Sequence, residues 1–264
     1  MIFEKALVLS NKEIAIGIYE MILAAKKIAD NDPFPGQFIN ISLSDSWLHP
    51  LRRPMSIAGF DGSNLRIIYK LFGEGTTILS NKKNGDILDL FGPVGNGFGN
   101  PDGRYPILVG GGVGLAPILW LHKLFTQKGI VHHTIIGARS MSEHFLKHAP
   151  EDNFLLATDD GSIGEKGTVM PVLRDIWKNF VNPKLYACGP ELMLKAVNDF
   201  ALQKTINCEL SVESYMACAT GICQGCIVEK SDANISESEH TYHERYSLVC
   251  INGPVYNAGE ILFK

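Results

Sequence analysis

Residues 216–230 read MACATGICQGCIVEK, and residues 245–255 read RYSLVCINGPV. Cys218, Cys223 and Cys226 stand in a C-x4-C-x2-C spacing, and Cys250 follows after 23 intervening residues. Three thiols on one loop of small residues, with a fourth delivered from a strand, form the plant-type ligand pattern of a 2Fe–2S cluster. Two irons need four soft thiolates converging within a few ångströms. A loop of Ala, Gly and Thr lets the backbone wrap such a cluster and aim its N–H groups at the sulfurs. Four thiols also allow a structural zinc site, but zinc usually takes two short C-x2-C knuckles, and the first gap here is four residues. Unrelated buried cysteines are the plain alternative.

The rest of the chain bounds what such a cluster could serve. At 264 residues it has room for about two domains with substantial cores. A net charge of −4 leaves no basic footprint for nucleic acid. The uncharged stretch Pro106–Leu121 is rich in Gly and carries two prolines, too short and too broken to span a bilayer. The opening MIFEKALVLS sets an acid and a base in an apolar alternation, which reads as a strand and not as a signal peptide. Six cysteines clustered like metal ligands fit a reducing compartment, so a cytoplasmic protein with no membrane and no nucleic-acid partner is expected.

From Phe3 to about Lys70, short alternating runs separated by turn signals predict an antiparallel β-barrel. Within it lies RRPMSIAGF. Arg53 offers a forked cation for a pyrophosphate, Pro54 holds the strand end extended, and Ser56 presents a small hydroxyl. Gly73, Gly75 and Thr76 open a predicted short helix, Thr76 to Asn81, where free N–H groups would meet phosphate. With PGQF at Pro35–Phe38, this run resembles the ferredoxin reductase superfamily, in which an RPxS barrel binds FAD and a GxGT-type turn holds its pyrophosphate. The resemblance implies that Arg53, Pro54, Met55 and Ser56 line the flavin, with Ile68, Tyr69 and Lys70 beside them and Gly75 and Thr76 at the phosphates. Read without it, Ile68 and Tyr69 are strand core and strand surface.

From Tyr105 the pattern changes to apolar strands alternating with amphipathic helices, which predicts a parallel sheet. GGGVGLAP begins at Gly110, where a buried strand turns into a helix, the place at which an α/β sheet receives phosphate. It is not G-x-G-x-x-G, and a tight turn with no ligand is the bland reading. TDDGS at Thr158–Ser162 and ACGPELM at Ala187–Met193 follow further strands. In the resembled superfamily these three motifs belong to the pyridine-nucleotide domain, with the CGP turn beside the nicotinamide. The resemblance therefore implies Gly111, Gly112, Gly114, Cys188, Gly189 and Pro190 as nucleotide contacts. Cys188 and Cys208 read as packing residues, and no side chain is assigned a catalytic role. Arg139 and Ser140 stand where a 2′-phosphate would be met, and equally where an arginine is simply solvated, so NADP stays open beside NAD.

The tail from Leu210 spans about 55 residues, short of the 90–100 or so of a plant-type ferredoxin domain. A small C-terminal cluster domain after a flavin and nucleotide pair resembles the family of dihydroorotate dehydrogenase B electron-transfer subunits. Glu213, Met216, Cys218, Gly221, Cys223, Gly225 and Cys226 match its first motif, and Cys250, Gly253, Pro254 and Val255 its second. Ala219 replaces a usual glycine, which should restrict that backbone slightly. Lys230–Tyr246 is longer than usual and holds His240 and His243, read as part of a solvated hairpin.

The expected architecture is α+β and multidomain: an FAD-binding barrel over residues 1–102, an α/β nucleotide domain over 103–209 and a 2Fe–2S domain over 210–264. The resemblance implies a relay from the flavin of a dihydroorotate-oxidising partner, an FMN-type catalytic subunit, through a 2Fe–2S cluster and FAD to NAD, in a heterotetramer with two copies of each chain. A ferredoxin:NAD(P) oxidoreductase subunit or a soluble hydrogenase subunit would share this layout. A zinc-stapled binding module is the non-redox alternative.

Overall fold

The computed structural model describes residues 1–43, 48–231 and 242–263. The period-two pattern of the N-terminal third becomes six strands: β1 (Ile2–Ala15), β2 (Ile18–Ala24), β3 (Phe38–Ile41), β4 (Arg53–Asp61), β5 (Asn64–Lys70) and β6 (Ile87–Val94). They close into an antiparallel barrel in the order β1-β2-β5-β4-β3-β6. Met21, Leu23, Ile39, Ile41, Ile57 and Ile67 fill its interior, as alternation requires. Two short helices, α1 (Lys26–Ala29) and α2 (Glu74–Ser80), lie in the connections.

Beyond residue 104 the chain alternates strand and helix: β7 (Tyr105–Gly111), α3 (Leu115–Gln127), β8 (His133–Ala138), β9 (Phe154–Thr158), β10 (Glu165–Lys166), α4 (Val169–Ile176), β11 (Pro183–Cys188), α5 (Glu191–Lys204) and β12 (Asn207–Ser211). The parallel strands run β10-β9-β8-β7-β11-β12. Because helices cover both faces, the central strands are almost wholly apolar. Leu115, Ile118 and Phe125 of α3 pack on Leu108 and Ile136. On the other face Val169, Leu173, Val197 and Phe200 pack on Ile107, Val109 and Leu185.

The tail supplies β13 (Ile227–Glu229), α6 (Tyr242–Arg245), β14 (Tyr246–Leu248) and β15 (Val255–Asn257). β13 and β14 pair antiparallel, Ile227 opposite Leu248 and Glu229 opposite Tyr246. β15 then returns to the parallel sheet and adds an antiparallel edge beside β12, Ser211 opposite Val255. The tail is thus not strung on a linker. It leaves the sheet along β12, which runs through position 210, and rejoins it at β15. His240 and the side chain of His243 lie outside the described residues.

Polar ties hold the barrel and the sheet in one arrangement. Lys184 and Glu209 form a buried ion pair, Nζ to Oε1 2.7 Å. Lys184 Nζ also donates to the carbonyl of Asn100 (2.8 Å), and the N–H of Gly99 donates to Glu209 Oε2 (2.7 Å), so the pair grips the connecting segment. Lys70 at the end of β5 reaches Glu143 across the boundary at 2.9 Å.

Candidate functional site

The cysteine loop is shaped by three residues with left-handed backbone: Ala219 (φ 56°), Gly221 (φ 80°) and Gln224 (φ 54°). These bends aim N–H groups at sulfur. Cys218 Sγ accepts from the N–H of Thr220 at 3.3 Å and of Cys223 at 3.4 Å, and Cys223 Sγ accepts from that of Gly225 at 3.5 Å. Ala219, where glycine is usual, is left-handed at a cost of about 1 kcal/mol that glycine would not incur.

The four thiols form two pairs. Cys218 and Cys223 lie Sγ to Sγ 3.3 Å apart at the surface. Cys226 and Cys250 are both buried, and the N–H of Cys250 donates to Cys226 Sγ at 3.5 Å. The β13–β14 hairpin explains how 23 intervening residues close so small a gap: β13 leaves directly after Cys226, and β14 returns the chain two residues before Cys250. Burial raises the Cys218 thiol, but hydrogen bonds from Thr220 and Cys223 outweigh it and hold the group down at about 6. Burial, followed by the adjacent Cys226 thiol, pushes Cys250 up to about 12. Two thiols per iron, with N–H donors on the sulfurs, fit a 2Fe–2S cluster.

The GGGVG and CGP turns meet because β7 and β11 are adjacent parallel strands, Gly110 opposite Cys188. A Cβ on Gly111 would lie 2.7 Å from Met193 Sδ, and one on Gly112 3.4 Å from Pro190 Cγ. Gly114 is tighter still, since its Cβ would run into the Cys188–Gly189 peptide. The structure thus brings Gly111, Gly112, Gly114, Cys188, Gly189 and Pro190 together. Cys188 and Cys208 are buried, and burial raises both thiols well above the ordinary range, as expected of packing cysteines.

Arg53, Pro54, Met55 and Ser56 open β4. The Arg53 side chain lies over the start of α2, where a Cβ on Gly75 would stand 2.5 Å from its Nε. The helix begins two residues before the predicted Thr76, at Glu74, because the Thr76 hydroxyl accepts the N–H groups of Phe72 (2.9 Å) and Gly73 (3.2 Å) and pins the first turn. Tyr69 is turned into the barrel, where its hydroxyl donates to Asn11 Oδ1 at 2.9 Å. Ile68 points the other way, into the core shared with α3. Both side chains are thus taken up in packing.

Residues 213–262 match the family of the iron-sulfur cluster binding domain of dihydroorotate dehydrogenase B. The chain is 36% identical over 260 residues to the dihydroorotate dehydrogenase B (NAD(+)) electron transfer subunit of Caldanaerobacter subterraneus, covering 98% of each, and 37% identical over 264 residues to that of Bacillus pumilus, covering 96% of each. The chain belongs to this family. In structure it is similar to an NADH-dependent reduced ferredoxin-NADP oxidoreductase (TM-score 0.84, 25% identity, 98% of this chain and 90% of that one). Phthalate dioxygenase reductase shares the fold (TM-score 0.63, 17% identity, 94% of each chain). The three-part architecture expected from the sequence is the one observed. None of the helices among the described residues is long and apolar enough to cross a membrane.

In this family member the parts face a common cleft of about 620 Å³. Phe72 from the barrel, Gly189 and Pro190 from the CGP turn, and Glu213, Tyr215 and Glu229 from the tail line it. Glu213 is exposed on the cleft wall, and partial desolvation there raises its carboxyl. Two features escaped the sequence reading. One is the Lys184–Glu209 pair, whose members lie in ordinary strand patterns. The other is Asn40, a buried polar residue in the apolar strand FINI, whose only sequence signal is that it breaks the pattern.

Proposed function

We propose that this chain is the electron-transfer subunit of a cytoplasmic dihydroorotate dehydrogenase B, passing electrons that a partner subunit draws from dihydroorotate to NAD+ in pyrimidine biosynthesis. When bound, a 2Fe–2S cluster carries single electrons, FAD converts between one and two, and NAD+ accepts a hydride. Cys218, Cys223, Cys226 and Cys250 hold the first. Arg53, Pro54, Met55 and Ser56, with the backbone of Ile68, Tyr69 and Lys70 and the turn at Gly75 and Thr76, hold the second. Gly111, Gly112, Gly114, Cys188, Gly189 and Pro190 receive the third.

One observation carries this reading. A single apolar core joins Phe38, Phe91 and Val94 of the barrel, Cys226 and Cys250 of the cluster loop, and Leu185 and Ala187 of the nucleotide sheet. Cys226 and Cys250 are therefore packed against both the barrel and the parallel sheet and are not held on a separate, tethered module. The opposite rim is open, since Cys223 is exposed. That rim suits an approaching partner, and membership of a family of electron transfer subunits implies one. An FMN-type catalytic subunit, in a heterotetramer with two copies of each chain, fills that role.

Purified protein should be brown-yellow, with flavin and iron–sulfur absorbance. Cys223→Ala should abolish partner-coupled NAD reduction while NADH oxidation by an artificial acceptor persists. Coupled turnover surviving that change would remove the cluster from the path. The likeness to the ferredoxin-NADP oxidoreductase supports a second reading, in which the same three sites serve a ferredoxin. Co-purification of a dihydroorotate-oxidising subunit separates the two.

A further inference from the structure

Strand β3 reads FINI, and one of its four residues does not suit an apolar wall. Asn40 is fully buried, although its neighbours along and across the ladder are Ile39, Ile41, Pro54 and Phe91. Ile39 and Ile41 enter the barrel interior, while Phe38 points outward into the core that holds Cys226 and Cys250. Alternation puts Asn40 on that outward face. There its Nδ2 donates to the carbonyl of Ala217 at 3.4 Å, the peptide immediately before Cys218. Its Oδ1 is buried with no hydrogen-bond partner among the described residues. Its own backbone carbonyl accepts from Arg52 Nη1 (3.3 Å), and Arg52 is in turn paired with Asp89 (2.5 Å).

Strand packing does not account for this residue. A buried amide with its oxygen unmatched is a net cost where valine or leucine would pack freely. What it does account for is a tie. The register partner of Asn40 on β4 is Pro54, inside the run assigned above to FAD. Asn40 thus stands one hydrogen bond from the cluster loop and one strand spacing, about 4.8 Å, from the flavin strand.

We propose that Asn40 is the positioning residue that seats the cluster loop on β3, the strand paired with the flavin strand β4, through its hydrogen bond to Ala217. This rests on the assignment of β4 to FAD. Asn40 acts through the Ala217–Cys218 peptide: by holding that carbonyl it fixes the plane of the peptide that delivers the first cluster ligand. Hydrogen bonding and orientation around ligating sulfurs tune a cluster's potential.

The test uses the full chain with its cofactors loaded. Asn40→Leu keeps the shape and removes the donor. Iron and FAD contents should match wild type, while the EPR signal of the reduced protein changes. Electron partition between cluster and FAD should shift by about tenfold, which is ~59 mV for one electron. Phe38→Leu perturbs the same outward face without touching a hydrogen bond, and should leave signal and potential unchanged. An unaltered EPR signal and potential in Asn40→Leu overturns the proposal, as does an equal shift in Phe38→Leu. If Asn40→Leu folds poorly, Asn40→Ser decides: it is small, its hydroxyl cannot reach Ala217, and an unshifted potential there is equally fatal. The FAD content of Arg53→Ala reports separately on the flavin assignment, since the EPR result on Asn40 does not depend on it.

Discussion

The turn at Gly114 and the turn at Cys188 touch through their backbones: a Cβ placed on Gly114 would stand 2.3 Å from the carbonyl carbon of Cys188. No side-chain adjustment relieves that clash, because both partners are main chain. Gly114→Ala must therefore push β7 and β11 apart at the ends that carry the two turns proposed for the nucleotide. Overpacking of this kind costs about 1–3 kcal/mol. NADH titration by calorimetry should show affinity lost, with FAD and iron content retained.

The Lys184–Glu209 pair is nearly dry, its side chains 7% and 13% exposed, and it holds both the Gly99 N–H and the Asn100 carbonyl. Removing one member strands the other charge in the interior. Lys184→Ala should lower unfolding stability by about 3–5 kcal/mol in urea titrations, whereas replacing both residues with apolar ones of similar size should recover much of the loss.

Burial, and then the neighbouring His132, lowers the His122 imidazole to about 4. Burial lowers His132 and His133 as well. The unfolded chain, with an ordinary histidine near 6.5, takes up the proton first, so acid favours unfolding. The contribution is full above about pH 6.5 and is lost as pH falls towards about 4. Urea midpoints measured across that window should decline by the equivalent of roughly 2–3 kcal/mol for His122 alone. His122→Asn should flatten the slope.

Arg53 lies over Gly75 at the start of α2, which sets its guanidinium beside the turn assigned to the FAD phosphates. Loss of one charge-assisted contact costs about 1.5–3 kcal/mol, or roughly ten- to hundredfold in affinity. Arg53→Ala should release FAD on gel filtration while the visible circular dichroism of the cluster persists. Arg53→Lys should recover only part of the affinity, since an ammonium cannot fork.

Much of this site is legible in the chain because the relevant chemistry is local. C-x4-C-x2-C specifies a loop whose sulfurs must converge, and the small residues between them leave the backbone free to bend. GGGVG and CGP each mark a strand-to-helix turn. Helix α2 starts two residues earlier than its pattern predicts because the Thr76 hydroxyl reaches back to Phe72 and Gly73, a contact that no propensity encodes. Ile68 and Tyr69 stand at the flavin only by resemblance; which way their side chains go follows from strand alternation, one into the barrel and one against α3.

Sequence alone determined the three segments, their order and the four thiols, since each follows from spacing and periodicity within one stretch of chain. The tertiary structure decided what those thiols are packed against. Cys250 becomes a partner for Cys226 only because β13 pairs with β14, and the tail becomes part of the nucleotide sheet only because β15 finds the edge of β12. Asn40 and Ala217, 177 positions apart, become neighbours only when the outer face of the barrel forms the floor of the cluster loop. Such contacts arise from burying apolar surface shared by distant segments, and a local pattern carries no record of which distant surface will cover it.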